Sequence, residues 1–191
     1  MADGRRERSR SSRARIVAAM LELVARGEVA PGAAQVAEVA GVGLRSVFRH
    51  FKDMDALYRE MTEAIETEVL PMLLRPPEGA TWQQRLFDLA ARRARIFETI
   101  MPYRVSADLR RFESPYLMED HRRLLRLERE ALEAHLPDAV RADMAGVQAL
   151  DVILGFGTWR ALRQDKGLGP SEAAEVVRRM LADAVTRWPD A

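Results

Sequence analysis

Cysteine is absent from the 191 residues, which excludes disulfides, thiol catalysis and cysteine-ligated zinc. Histidine is scarce: His50, His121 and His135 are the only three. They form no His-Glu-x-x-His pair, and neither a glycine-rich phosphate loop nor a Gly-x-Ser-x-Gly nucleophile turn occurs, so nothing points to an enzyme, a metal centre or a cofactor. Glu119-Asp120-His121 is read as an exposed helix segment running into Arg122 and Arg123. No stretch of about 18 residues is apolar and uncharged, and residues 1 to 20 lack an apolar core and a small-residue cleavage site. Neither a membrane span nor secretion is expected, and a reducing cytoplasm fits. Net charge is also lacking, at +1 overall, so any electrostatic case for nucleic acid has to be local. With 48% hydrophobic and 31% charged residues, the composition is that of a chain able to bury a core.

Helical periodicity runs nearly throughout and strand-like alternation is missing, so the expected fold is all-α. The densest information lies in Gln35 to Phe51. Val36, Val39 and Ala40 recur at i, i+3 and i+4, as on the buried face of a short helix. Gly41 can then take the left-handed conformation that closes it, and Gly41-Val42-Gly43 turns the chain. Leu44, Val47, Phe48 and Phe51 repeat the apolar pattern on a second helix, leaving Arg45, Ser46, Arg49 and His50 on its other face. Two short helices about a glycine turn make a helix-turn-helix, and a face of hydrogen-bond donors suits the base acceptors and phosphates of a DNA major groove. Arg45, near the start of the second helix, is placed to pair with the two acceptors of guanine; Arg49 reaches either a base or a phosphate; Ser46, His50 and Lys52 suit phosphate. Gln35 is either a phosphate contact or plain surface.

Upstream, Arg5, Arg6, Arg8, Arg10, Arg13 and Arg15 are opposed only by Asp3 and Glu7. Such an arm either follows phosphates and enters a minor groove or is a solvated tail; beside a helix-turn-helix the balance moves toward DNA.

The helix Ser12 to Arg26, Val-Ala-Glu-Val-Ala-Gly-Val at 36 to 42, the aromatic followed by Arg-His-Phe at 48 to 51 and Asp-Ala-Leu-Tyr at 55 to 58 together resemble the TetR family of bacterial transcriptional regulators. The motifs cover roughly the first third of the chain. The resemblance implies a helix-turn-helix DNA-binding domain at 1–53 and a larger helical effector-binding and dimerisation domain at 54–191. It also implies a homodimer on a palindromic operator, released when a small effector moves the fourth helix. Three positions depart from the family's habit. Phe48 replaces a tyrosine whose hydroxyl touches phosphate and is expected to pack instead; Met54 replaces a lysine; Gly32 and Ala33 stand where threonine caps the second helix. These departures keep open a helical interaction or architectural protein with a degenerate motif.

Further along, helix one is expected to be capped by Ser11 or Ser12 and to bury Ile16, Ala19, Met20, Leu23 and Val24. Pro71 and Pro102 are expected to kink or end their helices, Thr81 and Ser114 to cap the ones that follow, and Pro137 to open a long element running through Trp159. Ser171 is expected to cap the last helix. Its apolar stripe packs either within the monomer or against a second copy; the resemblance implies the second, since the family dimerises through its last two long helices, and places Leu150, Ile153, Leu154, Val177, Met180, Leu181, Ala184, Val185 and Trp188 at the interface. Phe87, Phe97, Met101, Tyr103, Phe112, Tyr116, Met118 and Trp159 are candidates to line a pocket for an apolar or aromatic effector whose identity the sequence leaves open.

Overall fold

The computed structural model describes residues 2–189, excepting the side chains of residues 2–6 and 8. The described residues form ten α-helices and no strand, so the fold is all-α as expected. None of these helices is long and apolar enough to cross a membrane. In order they are α1 (Ala2–Ala25), α2 (Ala33–Val39), α3 (Leu44–His50), α4 (Met54–Leu73), α5 (Trp82–Arg110), α6 (Pro115–Glu133), α7 (Asp138–Arg141), α8 (Met144–Leu154), α9 (Phe156–Arg160) and α10 (Pro170–Val185), with a π-helical turn at Ala161–Asp165.

The chain divides into two compact units, one of Met1–Glu68 with Pro102–His121 and the other of Val69–Met101 with Arg122–Ala191. The first therefore holds residues 1–53 together with most of α4, the end of α5 and the start of α6. Its core begins with Ile16, Ala19, Met20, Leu23 and Val24, all buried as their helical spacing requires. Val36, Ala37, Ala40, Val47, Phe51, Leu57, Tyr58, Met61 and Leu117 complete it. Tyr58 is fully buried, and its hydroxyl lies 3.3 Å from Ser106 Oγ; burial raises its pKa, which keeps the phenol protonated as a hydrogen-bonding group.

In the second unit Trp82, Leu86, Leu89, Ile96 and Phe97 of α5 are buried, as are Leu132, Leu150, Leu154, Trp159, Val177 and Leu181. Trp188 meets Trp82 edge to face at 6.3 Å between ring centres. It also covers Gly146, where a Cβ would run into the indole and stand 2.6 Å from Asp143 Oδ2, so no larger residue fits there without a shift of these side chains.

Several helix ends differ from expectation. The first helix starts at Ala2, which places Ser11 and Ser12 inside it; the intervening arginines are good helix formers and nothing between Arg5 and Arg15 breaks the run. Helices α4 and α5 continue through Pro71 and Pro102. A proline removes one backbone hydrogen bond, and buried neighbours, Val69 before Pro71 and Met101 and Arg104 around Pro102, hold the helix across the loss. The expected long element after Pro137 is instead three helices. Asp143 Oδ1 accepts the Gly146 N–H at 2.9 Å and starts α8 afresh, and Gly155, extended at ψ 157°, separates α8 from α9. Gly169, not Ser171, is the cap of α10, with Pro170 in the first turn and Glu172 accepting the Gly169 N–H at 2.8 Å. Thr81 and Ser114 do cap, accepting from Gln84 N–H at 3.2 Å and Leu117 N–H at 3.0 Å.

Candidate nucleic-acid interface

The interface is built around the turn between α2 and α3. Gly41 has φ +61°, the left-handed conformation that side chains resist; its N–H bonds to Glu38 O at 3.0 Å and the Val42 N–H to Ala37 O at 2.9 Å, which ends α2. Gly43, extended at ψ 147°, then admits α3, whose first turn is fixed by Ser46 N–H to Gly43 O at 2.7 Å. Helix α2 has no side-chain cap at Gly32; instead Gln35 Oε1 accepts the Gly32 N–H at 2.9 Å. This engages one lone pair of the Gln35 amide oxygen and orients its NH2 group away from Gly32.

Two arginines expected to belong to the basic arm are clamps of this motif. Arg15 Nη2 donates to Gly41 O at 2.9 Å and also to Ala40 O, so it neutralises carbonyls at the end of α2. Arg13 Nε donates to Glu60 Oε1 at 2.7 Å, another of its nitrogens donates to His50 O, and its guanidinium lies 4.4 Å from the centre of the Phe51 ring. One side chain thus joins α1, the end of α3 and α4. Asp53 does more than connect helices: its Oδ1 accepts the Ala56 N–H at 2.8 Å at the start of α4. The signal for this is in the sequence, an aspartate a few residues ahead of an apolar stripe.

The inward face of α3 is narrower than its apolar pattern. Val47 and Phe51 are buried, whereas Leu44 is 46% and Phe48 51% exposed; on α2, Val39 is likewise exposed and Ala37 takes its place inside. The expectation that Phe48 packs is therefore corrected. A seven-residue helix touching its neighbours along one line needs only the two residues that point directly inward.

Outward, Arg45 and Arg49 are exposed, Ser46 is half-buried, and Lys52 is exposed just beyond the helix. Neither Arg45 nor Arg49 makes an ion pair among the described residues, and α3 itself carries no carboxylate. His50 is half-buried, and its Nε2 is buried without a protein hydrogen-bond partner among the described residues. Burial, then the guanidinium groups of Arg49 and Arg13, push its pKa below the usual histidine value, which favours the neutral imidazole. That reduces its value as a cationic phosphate contact. Arg10 is exposed on α1; the side chains of Arg5, Arg6 and Arg8 lie outside the described residues.

The pocket candidates are divided between the two units, Tyr103, Phe112, Tyr116 and Met118 in the first and Phe87, Phe97, Met101 and Trp159 in the second. Tyr103 and Tyr116 pack against the core of the first unit, and Phe112 is 76% exposed. Tyr116 also lies beneath the Arg59 guanidinium, 4.1 Å from its ring centre. Phe87 and Met118 are half-buried and Met101 is buried. Phe97 and Trp159 line a cavity of about 10 Å³ in the second unit with Arg93, Ile153 and Val177, room for a single water. Arg93 donates to Leu154 O at 3.2 Å and to Glu128 O, while Glu98 accepts from Trp159 Nε1 at 2.8 Å and Arg163 Nε at 2.7 Å. The bond from Arg163 is the main reason the Glu98 carboxyl is held below the usual carboxylate pKa.

Of the nine residues expected at a dimer interface, Leu150, Leu154, Val177 and Leu181 are buried in their own unit. Ile153, Ala184, Val185 and Trp188 are half-buried, and Met180 is exposed. Val152 and Met144 on α8 are exposed large apolar residues outside that set. Around Asp120 and His121, the aspartate is buried rather than exposed, because α6 turns it inward, and His121 Nδ1 lies 3.1 Å from Asp108 Oδ1. No group of three or more His, Asp or Glu side chains that could hold a metal occurs among the described residues.

No protein-family model matches the chain, and no curated protein matches it either. Among solved structures it is similar to a transcriptional regulator from Rhodococcus sp. Rha1, at 20% sequence identity and a TM-score of 0.66 over 91% of this chain and 96% of that one. At that identity the likeness shows a shared fold over nearly the full length of both chains.

Proposed function

We propose that the chain is a DNA-binding transcriptional regulator of the TetR type, acting as a homodimeric repressor on a palindromic operator. The observation that carries this reading is the outward face of α3, where Arg45 and Arg49 stand exposed and without an ion pair among the described residues, on a helix packed through Val47 and Phe51, clamped at its end by Arg13 and preceded by a turn that Arg15 fixes. A cationic donor face without carboxylates on a helix-turn-helix matches the acceptors of a major groove. Residues 1–53 supply DNA binding and 54–191 effector binding and dimerisation. Two motifs joined by a dimer read half-sites about 34 Å apart or multiples of that. The dimer surface includes Met180 and Val152, which remain exposed when each unit has formed its own core.

The effector enters at Phe97 and Trp159. The cavity there has room only for a water-sized molecule, so a ligand has to favour an expanded arrangement, and it releases DNA only if that arrangement binds operator less well. Selection of bound fragments from random duplex DNA with the purified protein tests the reading. A recovered palindrome supports it; binding that depends on salt and is indifferent to sequence points to an architectural role and rejects it.

The basic residues ahead of the motif give a separate prediction. Deleting residues 1–10 removes Arg5, Arg6, Arg8 and Arg10 and keeps both clamps, Arg13 and Arg15. Binding to every DNA sequence is expected to weaken, and the slope of log affinity against log salt to fall by about 0.9 for each phosphate that is no longer neutralised. A truncated protein with an unchanged slope shows that these arginines do not touch phosphate.

A further inference from the structure

The exposed face of α3 is not uniformly polar. Successive residues on a helix are turned by about 100°, so residues four apart share a stripe. With Val47 and Phe51 inward, Leu44 and Phe48 form a stripe along one flank, Arg45 and Arg49 the stripe beside it, and Ser46 and His50 the other flank. Leu44 and Phe48 are large apolar residues about half exposed, on the stripe next to two guanidinium groups that make no ion pair among the described residues. A surface that sets an aromatic ring beside two cations needs a partner that is anionic overall and locally apolar. Duplex DNA meets both conditions in its major groove, where phosphates flank base edges and the C5-methyl group of thymine is the apolar feature on the floor. The phenylalanine ring has no hydroxyl to offer a phosphate, so its favourable contact in that groove is with the methyl.

Resting on the regulator reading, we propose that Phe48, with Leu44 beside it, determines specificity by packing against a thymine methyl group in each half-site, next to the base pair read by Arg45. Specificity is then read by two chemistries on adjacent stripes of one helix. Arginine detects paired acceptors, and phenylalanine detects a methyl.

The test replaces each thymine of a selected operator by uracil, which keeps the O4 acceptor and the base pairing and removes only the methyl. Affinities are measured for the unaltered protein, Phe48→Ala and Phe48→Leu. At one thymine per half-site, uracil is expected to weaken the unaltered protein about fourfold per methyl, the equivalent of one buried carbon group. Phe48→Ala is expected to bind more weakly and to be indifferent to that same replacement, and Phe48→Leu to retain part of the preference. The exposure of the ring keeps the unfolding midpoint of Phe48→Ala close to that of the unaltered protein. Indifference of the unaltered protein to uracil at every position, or an undiminished thymine preference in Phe48→Ala, overturns the proposal while leaving the regulator reading intact. Failure to select any sequence overturns both.

Discussion

Phe51→Ala is expected to destabilise the first compact unit by about 3 to 5 kcal/mol, the range for emptying a phenylalanine site in a packed core. The ring is 1% exposed, is surrounded by buried residues of α1, α2, α3 and α4, and lies beneath the Arg13 guanidinium. Two effects contribute and their sizes differ. The cation–π contact of a partly exposed arginine is worth about 0.5 to 1 kcal/mol, so the cavity left by the ring dominates. Phe51 also follows α3 directly, its N–H bonding to Val47 O at 2.8 Å, and loss of the ring frees the end of that helix. Urea unfolding monitored by helical circular dichroism is the measurement. A loss below about 1.5 kcal/mol would mean that the site collapses around the smaller side chain, and that α3 is held mainly by Val47 and the arginine clamps.

The same residue shows what a sequence can and cannot reveal about this molecule. Val36, Ala40, Val47, Phe51 and the helix-closing Gly41 are legible because the rules that place them are local, acting over three or four residues. Phe48, Leu44 and Val39 escape those rules because periodicity gives the direction of a buried face and not its width, which is set by how many neighbours a short helix has. Arg13 and Arg15 look like part of a basic arm because composition records only their charge. Their partners are the carbonyls of His50, Ala40 and Gly41 and the Glu60 carboxylate, 25 to 47 residues away. The prolines at 71 and 102 look like breaks because the local cost is real; tertiary burial on the flanking turns outweighs it. The pocket is the least legible part. Aromatic residues at helical spacing look the same whether they pack against a core, as Tyr103 does, line a cavity, as Phe97 does, or face water, as Phe112 does. Only the packing of distant segments separates the three.

Arg45→Ala is expected to leave stability unchanged and to remove about 1 to 3 kcal/mol of discrimination at one base pair in each half-site. Stability is spared because the side chain is exposed and engages no carboxylate among the described residues, so its removal leaves no buried group unpaired. Discrimination is lost because a guanidinium presents two parallel donors that match O6 and N7 of guanine, and alanine presents none. Arg45→Lys separates geometry from charge. Lysine preserves the attraction to phosphates and offers a compact ammonium in place of the planar fork, so its overall affinity is expected to fall less than that of the alanine variant while its preference for guanine weakens. Competition between the selected operator and its single-base variants is the measurement. A uniform fall across all sequences, with the base preferences intact, would move Arg45 to the DNA backbone and leave Arg49 and Phe48 as the readers of the groove.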